Sequence, residues 1–184
     1  MRLFVAVYPP PHAVADLATA LQSVSAARDM RWTRSEHWHV TLAFLGDVPD
    51  TGVGDLDRAL AAVAGDAAPL RLRLRGAGRF SSRGRGDVVW AGVAGDVERL
   101  MALSSSVGVA ARAAGVTYPD RRPEPHLTLG RQARGSGAAA QRVIEALASY
   151  DGPVWPVEEV RLVRSTLGPP LVHAPLSTWP LGPT

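Results

Sequence analysis

The chain has 184 residues, 46% of them hydrophobic, and a net charge of +3. That composition can bury a core and excludes a disordered chain, and no apolar run reaches the ~18 residues of a membrane span. The absence of cysteine excludes disulfides, zinc–thiolate sites and thiol catalysis. In chain order, RLFVAVY (2–8) alternates as a strand, and the prolines that follow it argue against a secretory signal. Residues 11–27 begin with proline and carry Val14, Leu17, Leu21 and Val24 on one helical stripe. Residues 30–33 read as a short strand, 38–45 (WHVTLAFL) as a longer one, and 54–64 as a helix. PLRLRLR (69–75) alternates leucine with arginine, so a strand with one buried and one basic face is expected. After the Gly- and Arg-rich loop 81–87 come a strand at 88–93 and a helix at 95–114 ended by Gly115. A strand at 125–131, a helix at 137–149 and a closing pair of strands at 157–167 and 171–179 complete the chain. The order predicts an α+β fold, with helices packed outside mostly antiparallel sheets. A single domain spanning 1–184 and made of two similar lobes is expected.

Two segments stand out, HWHVTLAFLG (37–46) and PEPHLTLGR (123–131). Both contain His-x-Thr-Leu, so two of only five histidines sit in the same tetrapeptide, at His39 and His126. One copy carries little; the pair is the signal. Strand alternation puts His and Thr on one face. His39, Thr41 and Ala43 are expected to face one way, with Val40, Leu42 and Phe44 facing the other. If the two strands flank a cleft, two imidazoles supply one base and one acid near neutral pH, and two hydroxyls hold phosphoryl oxygens. That set suffices for in-line displacement at phosphorus, and no metal or other cofactor is called for.

These segments make the chain resemble the two-histidine phosphoesterases, and within them the RNA 2′,3′-cyclic phosphodiesterases, also called 2′-5′ RNA ligases. RLFVAVYPP, RWTRSEHWHVTLAFLGDV, GRFSSRGRGDVVWAGV, PEPHLTLGR and VRLVRSTLGPPLVHAPLSTWPL carry the resemblance along nearly the whole chain. It implies a bilobal fold around a central cleft, one motif per lobe. It implies hydrolysis of a terminal 2′,3′-cyclic phosphate to a 2′-phosphate, with His39 as proton donor to the leaving 3′ oxygen and His126 as proton acceptor. Thr41, Thr128 and Arg131 are implied phosphate ligands. The residues themselves do not distinguish the two histidines. Strict alternation sets Arg131 opposite His126 and Thr128, so either a bulge near Gly130 or a reach round the strand end is required. The family's closing hairpin carries a tyrosine near the position of His173.

The implied partner is RNA with 2′,3′-cyclic phosphate ends, with no membrane, a monomeric state and a cytoplasmic location. A relative acting on 2′-5′ oligonucleotides or small cyclic phosphates, and a non-catalytic RNA-end binder, remain alternatives. All 20 basic residues are arginine, a bias that a GC-rich genome explains, although the guanidinium fork suits phosphate. His37 beside His39 raises a metal pair, set aside for want of a third ligand at suitable spacing. His12 reads as a surface residue, and His173 as structural or cleft-lining. Arg71, Arg73 and Arg75 read as a solvated face, Arg83 and Arg85 as loop residues open to an RNA-clamping role. The five tryptophans read as core or rim, and Arg164 and Ser165 as structural.

Overall fold

The computed structural model describes residues 1–24, 29–82, 86–118, 124–132 and 137–182. Arg83, Arg85 and the end of the first expected helix lie outside them. Strand β1 (Arg2–Val7) is central: apart from Arg2, every residue in it is buried. Leu3, Val5 and Val7 point into the main core, while Phe4 and Ala6 join a smaller cluster on the opposite face with Val163 and Tyr8. Burial on both faces explains why this strand reads as an almost unbroken apolar run. It pairs antiparallel with β3 (Val40–Asp47) on one side and β8 (Glu159–Thr166) on the other. β9 (Val172–Pro180) closes that edge against β8.

The rest of the sheet is built on β4 (Leu70–Ser82), β5 (Gly86–Gly95) and β6 (His126–Gln132), in that order. β2 (Met30–Trp32) pairs with β6, and β7 (Trp155–Val157) lies on the outer edge of β4. The curled antiparallel sheet therefore runs β7-β4-β5-β6-β3-β1-β8-β9. Its two halves join where β3 meets β6, through the pair Val40 and Leu127. Helices α1 (Pro11–Ala20) and α4 (Ala138–Ala146) pack on the β4 half. Helices α2 (Val53–Asp66) and α3 (Val97–Ala113) pack against each other and on the β3 half. The α+β architecture is as the sequence pattern predicts. No helix among the described residues is long and apolar enough to cross a membrane.

The differences from expectation are local. The first helix ends at Ala20 because the next residues close shorter turns, Gln22 N–H to Thr19 O and Val24 N–H to Leu21 O. β4 runs seven residues past the Leu/Arg alternation, through Gly76 and Gly78. Gly78 is needed there, since a Cβ would collide with the Trp90 ring that covers it. β7 escaped the sequence reading because it is three residues long and contains Pro156, which only an edge position tolerates. The leucines of PLRLRLR are buried, Arg71 and Arg75 are exposed, and Arg73 forms an ion pair with Asp151 at 2.6 Å.

Candidate active site

Both His-x-Thr-Leu segments depart from a regular strand at the same residue. Along β1 and β3, Ala6 pairs with Thr41 and Val5 with Ala43, so Leu42 is an extra residue on β3. Along β5 and β6, Trp90 pairs with Thr128 and Val89 with Gly130, so Leu129 is the extra residue on β6. Each bulge leaves a leucine without a cross-strand partner and shifts the alternation that follows. Each freed carbonyl finds a donor: the Ser104 hydroxyl bonds Leu42 O at 2.6 Å, and Thr33 N–H bonds Leu129 O at 2.8 Å.

The bulges correct the expected faces. Phe44, not Ala43, follows Thr41 into the cleft, where its ring meets Phe4, while Ala43 is buried in the core. The bulge at Leu129 also resolves the position of Arg131, which lines the cleft with Thr128 although it stands an odd number of positions, three, further along. Gly130 lets β2 come close; a Cβ there would lie 2.8 Å from Arg31 O.

The two histidines are held alike. His39 Nδ1 lies 2.6 Å from His37 O, and His126 Nδ1 lies 2.7 Å from Glu124 O. A carbonyl only accepts, so in each ring Nδ1 carries the proton and donates. Nε2 is left in each ring as the nitrogen that can exchange a proton with a ligand. Their surroundings differ. His39 stacks on Phe4 at 4.8 Å and touches Tyr8 and His173. His126 meets Phe80 edge-on at 4.9 Å and lies near Trp90. Burial holds the His39 pKa down to about 4. The neighbouring His173, His126 and His37 push the same way, and the bond to the His37 carbonyl partly opposes them.

A cleft of about 390 Å³ opens over this region, lined in part by His39, Thr41, Thr128 and Arg131. It brings together four of the five candidate site residues; His126, at the start of β6 two residues before Thr128, is not in its lining. His37 lines the cleft too, from the end of a 3₁₀ turn (Ser35–His37) that precedes β3. Among the described residues, no group of three His, Cys, Asp or Glu side chains is arranged to hold a metal ion. His12 and Arg164 are exposed, and Trp38 and Trp155 are buried. Ser165, read from sequence as structural, lines the cleft, as do His173 and Arg2. Phe4 and Tyr8 were missed as site walls. The alternation of RLFVAVY puts them on one face, but nothing in the sequence says that this face covers a histidine. The Arg161 guanidinium lies 4.8 Å over the Tyr8 ring, and burial pushes the Tyr8 phenol up while Arg161 opposes it.

A curled sheet with a histidine and a threonine at the start of a central strand in each half is the plan of a two-histidine phosphoesterase. The family model described as LigT like phosphoesterase matches residues 7–90 and 93–173. The chain belongs to that family, whose members are phosphoester hydrolases. It is 34% identical over 173 residues to an RNA 2′,3′-cyclic phosphodiesterase of Thermus thermophilus, covering 92% of this chain and 84% of that protein. It is also 34% identical over 151 residues to a Geobacillus stearothermophilus protein of the same name, covering 82% of this chain. The matched stretch spans only 47% of the Geobacillus protein. A crystal structure of a Thermus thermophilus protein superposes with a TM-score of 0.80 at 29% identity, covering 98% of each chain. Escherichia coli LigT in apo form, 24% identical, shares the fold with a TM-score of 0.78, covering 98% of this chain and 97% of that one.

Proposed function

We propose that the protein is an RNA 2′,3′-cyclic phosphodiesterase, opening a terminal 2′,3′-cyclic phosphate to a 2′-phosphomonoester. The observation that carries this reading is the shared setting of His39 and His126. Both give Nδ1–H to a carbonyl two residues upstream, and both sit two residues before a threonine and three before a bulged leucine. Relatives carrying that name at 34% identity support the substrate class.

In this mechanism Thr41, Thr128 and Arg131 bind the phosphoryl oxygens. His126 Nε2 takes a proton from water as its oxygen bonds to phosphorus. The bond from phosphorus to the 3′ oxygen breaks on the opposite side, and His39 Nε2 gives that oxygen a proton. Arg131 and the hydroxyls stabilise the charge on the equatorial oxygens. Because His39 is neutral in the free site near neutral pH, its proton must be taken up with the substrate, whose anionic phosphate favours the charged imidazole. No step requires a metal. By microscopic reversibility, a 5′-hydroxyl can replace water and yield a 2′-5′ linkage, a latent activity that hydrolysis outruns in dilute RNA.

The test is to incubate the protein, in excess EDTA, with a short RNA ending in a 2′,3′-cyclic phosphate and to follow phosphorus NMR. A 2′-monoester, absent with His126→Ala, is expected. Unchanged RNA that nonetheless binds would replace this reading with that of a binding module. A 3′-monoester would keep the hydrolase and reverse the leaving group.

A further inference from the structure

The cleft holds more anion-binding capacity than one reacting phosphorus needs. Arg2, Ser165 and His173 line it and have no part in the mechanism above. They come from three neighbouring strands and form a row. Ser165 lies opposite His173 across β8 and β9. Leu3 lies opposite Arg164 across β1 and β8, so one more step of that register sets Arg2 opposite Ser165. Cross-strand partners share a face. His37 stands against the end of the row, its ring 4.7 Å from that of His173.

The state of these groups points to a ligand. Among the described residues no ion pair engages Arg2, even though Asp47 is its cross-strand neighbour on β3. His173 Nδ1 is buried without a hydrogen-bond partner, whereas buried polar atoms in folded proteins ordinarily have one. Among the described residues, the cleft lining contains no carboxylate. A guanidinium fork, a hydroxyl and an imidazole side by side suit the oxygens of a phosphate. Burial, with His37 acting the same way, lowers the His173 pKa.

We propose that Arg2, Ser165 and His173 form a second anion subsite, which takes the phosphate on the 5′ side of the terminal nucleotide while the cyclic phosphate occupies the His39–His126 centre. This rests on the function proposed above and narrows its substrate class. Ends that carry a 5′ phosphate, as every RNA chain end does, are preferred over a bare nucleoside 2′,3′-cyclic phosphate.

The experiment compares kcat/KM for adenosine 2′,3′-cyclic phosphate, its 5′-phosphorylated derivative and a dinucleotide ending in the same cyclic phosphate. The wild type, Arg2→Gln, Arg2→Lys and His173→Phe are assayed in parallel. The 5′-phosphate should raise wild-type kcat/KM by roughly 10-fold, the scale of one hydrogen bond to a charged group. Arg2→Gln should bring that ratio near one, Arg2→Lys should keep part of it, and His173→Phe should reduce it. A wild-type ratio near one, or a ratio that Arg2→Gln leaves unchanged, overturns the subsite while sparing the hydrolase. An advantage for the dinucleotide alone also overturns it, because it assigns the preference to the second nucleoside. Failure to turn over all three substrates removes the proposed function and the subsite with it.

Discussion

The segments entering β3 and β6 carry the same tetrapeptide, bulge at the same leucine and tie the same imidazole nitrogen to the same relative carbonyl. They differ in what surrounds the imidazole. His39 is enclosed by Phe4, Tyr8 and His173, whereas His126 meets Phe80 and Trp90. Geometry alone makes the two rings interchangeable. The enclosure separates them, because desolvation penalises the charged form of His39. The asymmetry between the two rings therefore comes from the walls that Phe4, Tyr8 and His173 supply, and not from the motifs.

Removing either ring gives the largest expected effect. His39→Ala and His126→Ala should each lower kcat by about 10²–10⁴-fold, the range for losing a general acid or base. Wild-type turnover by either variant would end the two-histidine assignment. The pH dependence of kcat/KM then tests the asymmetry, since it reports the free enzyme. Because one imidazole must be protonated and the other neutral, the profile should be bell-shaped, with its acidic limb near the His39 pKa of about 4. The falling limb of kcat should lie at higher pH, because bound phosphate stabilises the imidazolium. An acidic limb of kcat/KM at the ordinary imidazole pKa would remove the asymmetry. Next in size, Thr41→Val and Thr128→Val keep side-chain shape and remove a hydroxyl. Each should cost roughly 10-fold to 100-fold in kcat/KM with an unchanged circular dichroism spectrum, the scale of a hydrogen bond to a charged group. A large loss from one threonine only would show that the two strands do not share the phosphate equally.

Much of this was legible in the sequence, for physical reasons. Alternation exposed most strands because one face of the sheet is covered by helices, and the repeated His-x-Thr marked the candidate site because His39 and both threonines line one cleft. What stayed hidden was the phase after each motif. A bulge adds one residue without a compositional mark, so Phe44 was assigned to the wrong face and the side taken by Arg131 was left open. The row of Arg2, Ser165 and His173 was hidden for another reason. Its members lie up to 171 positions apart in sequence and meet only through the β1, β8 and β9 register.

The smallest effect tests whether the two bulges are held equally well. On β6 the bulge carbonyl, Leu129 O, is bonded by a main-chain N–H, that of Thr33, which no ordinary substitution removes. On β3 the matching carbonyl, Leu42 O, depends on the Ser104 side chain, reaching across from α3. Ser104→Ala removes that donor and leaves a carbonyl in the interior without its partner, at a cost of about 1–3 kcal/mol. Thermal unfolding should register that loss, and kcat should fall several-fold because Thr41 directly precedes the loosened residue. Ser104→Thr, which keeps the hydroxyl, should recover most of both. A Ser104→Ala protein that loses stability at unchanged kcat would show that the bulge is braced by β1 alone, and that Ser104 serves only the packing of α3.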